Sequence, residues 1–302
     1  MRNRVNNIHG IILLDKPAEM TSNAALQALK RLLNVKKAGH TGSLDPIATG
    51  MLPICIGEAT KFSQYLLESD KYYQVVAKLG VQTTTGDSEG EILATFPIVD
   101  ITEEKIRQVL AKFLGITEQT PPMYSALKYK GKPLYELARQ GIEVPRQPRS
   151  IQIHSIQFDA MDADSFSFTV HCTKGTYVRT LVEDMGKILG CGAHVCQLRR
   201  LAVAPFQNTT MHSLDDLHDF HKQAGVDKLR ELVLPMEAAV KSFPAVKLAT
   251  ASAFYLRMGQ AIRVAHLPTC KYIRLLTESG QFLGIGEVLP DGRVKPQRLL
   301  SS

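Results

Sequence analysis

Gly39-His40-Thr41-Gly42-Ser43-Leu44-Asp45-Pro46-Ile47-Ala48-Thr49-Gly50 holds a single carboxylate among small and apolar residues. Between Lys36 and Pro53 the chain carries Gly39, Gly42, Gly50, Pro46 and Pro53, too many breakers for a regular element, and this predicts a loop. Glycines let such a backbone adopt conformations that other residues resist. An acid fixed there, with few polar neighbours in sequence to account for it, is a candidate for chemistry.

Upstream, Gly10–Leu14 reads as a short buried strand ending at Asp15-Lys16-Pro17. Thr21 or Ser22 can then cap a helix through Leu26, Leu29 and Leu33. Downstream, Lys71–Leu79 alternates, with Tyr73, Val75, Ala77 and Leu79 on its apolar face. Phe166–Cys172 alternates likewise, turns at Lys174-Gly175 and enters a helix containing Tyr177, Arg179, Leu181, Val182 and Leu189. Strands interrupted by single helices, without regular βαβ alternation, predict an α+β fold on a mixed, mostly antiparallel sheet. Asp215–Val240 is acidic and helical in pattern. After Pro244, short strand-like runs with Gly259, Gly280, Gly284, Gly286 and Gly292 predict a boundary near residue 245 and a small, basic, β-rich module beyond it.

At 302 residues, 44% hydrophobic and 22% charged, the chain has the composition of a large globular domain with a smaller one attached. No apolar run approaches the ~18 residues of a membrane-spanning helix. Met1–Gly10 is polar and basic, and the four-residue apolar run after it is too short for a signal-peptide core, so a cytoplasmic location is expected. The five cysteines are scattered without a CxxC pair, and Cys191, His194 and Cys196 match no standard zinc spacing, so neither disulfides nor a metal are expected. His212, His218 and His221 read as a solvated helix face. The absence of GxxxxGK[ST], GxGxxG, HExxH and GxSxG disfavours ATP use, dinucleotide redox and serine hydrolysis.

The net charge of +7 is unevenly placed. Pro121–Ser150 carries six basic against two acidic residues, and Lys241–Ser302 nine against three, so the rest of the chain is net negative. Concentrated positive charge is the electrostatic footprint of a polyanion binder. Arg179 falls in the first turn of its helix, where the macrodipole disfavours a cation, and so calls for a carboxylate partner. That partner is either a surface acid or Asp45 in a pocket, kept ionised and oriented. Tyr73 and Tyr177 suit either a core or stacking on an extruded base. His40 is equally a plain loop histidine or an RNA contact.

Extended through Met51-Leu52-Pro53, the opening stretch closely resembles the catalytic loop of the TruB family of tRNA pseudouridine synthases. Leu14-Asp15-Lys16-Pro17, Gly57-Glu58-Ala59-Thr60-Lys61, Lys71-Tyr72-Tyr73, Gly86-Asp87, Pro121-Pro122-Met123-Tyr124-Ser125-Ala126, Lys174-Gly175-Thr176-Tyr177-Val178-Arg179 and Leu198-Arg199-Arg200-Leu201 follow in that family's order. The resemblance implies a pseudouridine synthase fold over residues 1–244, with a basic RNA-clamping insertion at about 121–150, and a PUA-like RNA-binding module over 245–302. It implies that Asp45 is catalytic and that Arg179 pairs with it. His40 would enter the T-loop of tRNA, Tyr73 would stack on the flipped uracil, Tyr177 and Leu198 would line the base pocket, and Lys16 would support them. The reaction moves uracil from N1 to C5 attachment without a cofactor, and the expected partner is the tRNA T-arm, met by a monomer with no obligatory protein partner. Two alternatives are a guide-dependent synthase subunit, whose relatives lack such an insertion, and a non-catalytic RNA binder or tRNA-folding chaperone.

Overall fold

The computed structural model describes residues 6–301, so the polar, basic start at residues 1–5 lies outside the described residues. A nine-stranded sheet organises the first part of the chain. Its order is His212–Ser213, Gly10–Lys16, Thr49–Ile56, Ala193–Val203, Lys71–Leu79, Ser165–Cys172, Arg149–Met161 and Gly115–Gln119, with Ala38–His40 added alongside Thr49–Ile56. Two pairings are parallel, His212–Ser213 with Gly10–Lys16 and Ala193–Val203 with Thr49–Ile56, and the others are antiparallel. The sheet is therefore mixed and mostly antiparallel, as the sequence pattern predicts.

Alternation along the strands gives this sheet two faces. Val75, Ala77, Phe166, Phe168 and Val170 build one core with Leu181, Val182 and Met185 of the helix Val178–Leu189 and Ile106 and Leu110 of the helix Glu103–Ala111. Ile12, Leu14, Leu52 and Ile54 pack with Leu26, Leu29 and Leu33 of the helix Ser22–Leu33 and with Leu217 and Leu229 of Leu214–Glu231. The helical pattern expected through Val240 is broken twice. Leu214–Glu231 kinks at Ala224 and Gly225, where Gly225 has φ 66°, and a separate 3-10 turn covers Met236–Val240. His212 lies on a strand rather than on the helix expected for it, while His218 is exposed and His221 half-buried.

A second, five-stranded sheet runs in the order Ala245–Leu248, Tyr272–Thr277, Phe282–Val288, Arg293–Leu299 and Ile262–Arg263. It meets the first part through an aromatic seam. Phe62 lies 5.4 Å from Phe282 between ring centroids, and Tyr65 lies 5.4 Å from Phe243 and 5.8 Å from Tyr272.

The loop expected over 36–53 is shorter than its breakers suggest. Ala38–His40 and Thr49–Ile56 are strands, and only residues 36–37 and 41–48 are irregular. Gly50 belongs in a strand because that strand passes hard against Arg200: a Cβ on Gly50, at φ 100°, would lie 2.2 Å from the Arg200 carbonyl oxygen. Pro53 sits where the strand exchanges one neighbour, Arg199–Arg200, for another, Ala38–His40.

Three side chains clamp the remaining loop by its backbone. The Lys16 ammonium, wholly buried, donates to the carbonyls of Pro17 (2.7 Å), Met20 (2.6 Å) and Pro46 (3.2 Å). Thr21 caps the first helix, accepting from the Ala24 amide at 3.1 Å, which leaves the Ser22 hydroxyl to donate to the Leu44 carbonyl and accept its amide. Arg200, 1% exposed, donates to the carbonyls of Gly42 (3.0 Å) and Met51 (2.7 Å).

Two outcomes follow from this packing. Phe62→Ala removes the largest fully buried side chain of the aromatic seam and is expected to lower stability by about 3–5 kcal/mol in urea unfolding. Burial holds the Lys16 ammonium at about 8, down from 10.5, with Asp45 and Glu89 opposing. The unfolded chain keeps that proton to higher pH, so this group adds stability as pH rises from about 8 to 10.5. Measured across that window, the wild type should gain stability relative to Lys16→Met; Lys71, similarly lowered, is common to both proteins. Parallel pH profiles would refute it.

Candidate active site

The Arg179 guanidinium organises the site. Tyr177 stands at the N-cap of the helix Val178–Leu189, so Arg179 occupies its first turn as expected, with only 6% of the residue exposed. Its Nε lies 2.9 Å from Asp45 Oδ2 and its Nη2 donates to Asp45 Oδ1 at 3.4 Å, a two-point contact across one carboxylate. Nη1 donates to the Thr85 carbonyl at 2.8 Å and lies 3.4 Å from Asp87 Oδ2, while Nη2 donates to the Tyr124 carbonyl at 2.8 Å. Two carboxylates and two backbone carbonyls thus surround the buried guanidinium, as a charge withdrawn from water requires.

Asp45 is more open than its partner, with 38% of its side chain exposed against 7% for Arg179. Burial raises the carboxyl above its ordinary value, Arg179 and Lys16 pull it down, and Asp87 pushes it up, so pairing with Arg179 does not outweigh desolvation. Glu89 and Glu183 are also raised, burial first, and both respond to Asp87 and Arg179. Asp87 itself is buried, its Oδ1 accepting from Thr85 Oγ1 at 2.5 Å and from the Glu89 amide at 3.1 Å.

Other residues singled out in the sequence gather here in different ways. Tyr73 packs half-buried against the core that holds Leu44, Ala48 and Leu198. Burial raises the Tyr73 hydroxyl, which feels both the Arg200 guanidinium and Asp45. Tyr177 is half-buried, raised by burial, and within electrostatic reach of Arg149, Arg179 and Asp45. Gln119 brackets its backbone, donating to the Tyr177 carbonyl at 3.0 Å and accepting its amide at 2.8 Å. Leu198 is 7% exposed. His40 lies on the short strand beside the loop, its ring lowered by burial and by Arg200, and its buried Nδ1 has no protein partner. Lys16 uses all three ammonium hydrogens on backbone carbonyls, so what it touches is the loop itself.

Sequence reasoning assigned no site role to Asp87 or Arg200. Arg200 had a readable signal: Leu198, Arg200 and Ala202 share the inward register of one strand, and a cation in an inward register needs acceptors inside. Among the described residues Cys191, His194 and Cys196 form no metal-ligand cluster; His194 Nδ1 lies 3.1 Å from the Val81 carbonyl. The site as a whole presents a half-open carboxylate of fixed orientation beside two tyrosines, suited to nucleophilic or proton-transfer work on a planar ligand.

Comparison with known proteins agrees with this geometry. Residues 30–178 match the TruB family pseudouridylate synthase (N terminal domain), 179–241 the tRNA pseudouridylate synthase B C-terminal domain, and 244–300 the pseudouridine synthase II TruB, C-terminal model. Proteins named tRNA pseudouridine synthase B from Coxiella burnetii and Tolumonas auensis are 53% and 50% identical, over 97% of this chain and 95% and 93% of theirs. Among solved structures, a chain of a Cbf5-Nop10-Gar1 complex superposes with TM-score 0.75 at 28% identity, covering 97% of this chain and 84% of that one. An H/ACA RNP bound to a substrate RNA containing 2'-deoxyuridine gives TM-score 0.75 at 26% identity, with 97% and 86% covered. With matches of that length and identity, the chain belongs to the TruB family of pseudouridylate synthases and is an isomerase.

Proposed function

We propose that the chain converts a T-loop uridine of tRNA to pseudouridine, acting alone in the cytoplasm, with Asp45 as the essential group. The observation that carries this reading is the two-point Arg179–Asp45 contact, which fixes a carboxylate that stays partly open beside Tyr73 and Tyr177. Substrate and product are isomers: the bond from N1 to the ribose breaks, the base turns, and a bond from C5 forms. No cofactor is needed to balance atoms or electrons. A uridine inside folded RNA must be flipped out at a cost of a few kcal/mol, which stacking on Tyr73 and basic contacts offset. Tyr177 and Leu198 line the base pocket, His40 meets the folded T-loop, and Lys16 supports Pro46 beneath it.

Residues 1–244 serve as the catalytic domain and 245–302 as a PUA-like RNA-binding domain. The inserted segment 121–150 folds on a small core of Leu134, Leu137 and Val144, and leaves Lys128, Lys130, Lys132, Arg139 and Arg149 exposed for phosphate contacts. In the second domain, exposed Phe254 and Tyr255 beside Arg257 offer stacking and charge.

The likeness to Cbf5 assemblies favours a second reading, a subunit that depends on a guide RNA and partners. The higher identity to full-length proteins named tRNA pseudouridine synthase B weighs for autonomy. Incubating the purified chain alone with an unmodified T-arm hairpin, then separating nucleosides, distinguishes them. Pseudouridine from the wild type and a loss of at least about 10²-fold in Asp45→Asn are expected; binding without product would favour the guided subunit or a chaperone. Replacing Lys128, Lys130 and Lys132 with Ala should weaken hairpin binding and reduce its salt slope by about 1 for each phosphate left without its lysine, with kcat at saturation retained. An unchanged slope would remove the insertion from the interface.

A further inference from the structure

On the face of the large sheet opposite Asp45, Asp70, His154 and His171 converge. Val170 and Tyr73 point into the core beside Asp45, so their neighbours His171 and Tyr72, paired across the strands, point the other way. Asp70 immediately precedes the strand Lys71–Leu79, and its carbonyl accepts from the Ala204 amide at 3.0 Å, which fixes its place. His154 comes from Arg149–Met161, which pairs with the strand Ser165–Cys172 that carries His171. Asp70 Oδ2 lies 3.1 Å from His154 Nε2 and 3.6 Å from His171 Nε2, and one donor atom from each residue falls within 4.8 Å of the others.

Two features set this trio apart from an ordinary ion pair. Zinc at ~2.0–2.1 Å from nitrogen and oxygen in tetrahedral array separates its ligands by about 3.4 Å, and the two Asp–His distances bracket that value. The His171 ring is also pre-oriented by Tyr72, stacked at 3.9 Å between centroids with planes 9° apart. Solvent reaches all three side chains, which are 36%, 29% and 22% exposed for Asp70, His154 and His171.

We propose that Asp70, His154 and His171 form a binding site for a divalent transition-metal ion of the zinc class, with two imidazoles and one carboxylate as ligands and the remaining position held by water. Imidazole ligands select zinc, copper and nickel over magnesium or calcium. Such an ion would tie the entry to the strand Lys71–Leu79 to the paired strands Arg149–Met161 and Ser165–Cys172.

The test uses the full chain, untagged and stripped with chelator, titrated calorimetrically with ZnCl2 and spectroscopically with Co2+. One equivalent should bind, with the visible bands of low-symmetry cobalt and no thiolate charge-transfer absorption. His154→Ala and Asp70→Asn should each weaken binding by more than about tenfold, the loss that even an outer-shell change produces; Cys196→Ser should leave it unchanged. Circular dichroism establishes that each variant is folded, and Asp70→Asn keeps the shape and the backbone bond to Ala204. No stoichiometric binding, binding indifferent to His154→Ala and Asp70→Asn, or a thiolate band that disappears in Cys196→Ser would each overturn the proposal.

Discussion

A guanidinium withdrawn from water must find counter-charge and acceptors, and Arg179 finds them on separate pieces of chain. The loop offers the Asp45 carboxylate, the turn at Thr85–Asp87 a carbonyl and a second carboxylate, the stretch after Gly115–Gln119 the Tyr124 carbonyl, and the helix that bears Arg179 supplies the mount. Taking any one of them away would leave a buried donor unsatisfied, at a cost of about 1–3 kcal/mol. The requirement to satisfy one cation thus draws together segments that hydrophobic packing alone would not register against each other.

The loop around Asp45 is held by a second kind of constraint. Lys16, Ser22 and Arg200 grip its carbonyls and amides rather than its side chains, so the backbone geometry survives whatever the side chains face. Lys16 and Arg200 are cations buried for this purpose, and the positive field of Lys16 partly offsets the desolvation of Asp45 and of Glu89. Dipoles and charges fixed before a ligand arrives need no reorganisation during reaction.

Much of this could be read from the sequence, and the omissions have physical causes. Alternation in Lys71–Leu79 and Phe166–Cys172 revealed two central strands because one face of each is apolar. Gly50 and Pro53 concealed a third, since breaker residues signal loops unless the close approach of Arg200 and the change of neighbour are known. The helix dipole argument marked Arg179 as needing an acid, but periodicity could not say that Asp87 shares it. Whether Thr21 or Ser22 caps the first helix was open from sequence, because either hydroxyl can serve; only the proximity of Leu44, 22 residues away, assigns Ser22 elsewhere. Charges that act through tertiary contact, Lys16 and Arg200 above all, leave a trace only as cations at inward positions.

The base of the inserted segment is joined to the reactive centre at two points: Gln119 brackets both backbone groups of Tyr177, and the Tyr124 carbonyl rests on Arg179. A rigid-body swing about this base would pull an amide from Tyr177 or an acceptor from Arg179. Displacement of this root is felt at the Asp45 carboxylate through Arg179. The position of segment 121–150 and the orientation of the Asp45 carboxylate are thereby set by one shared group of contacts, those to Arg179 and to the backbone of Tyr177.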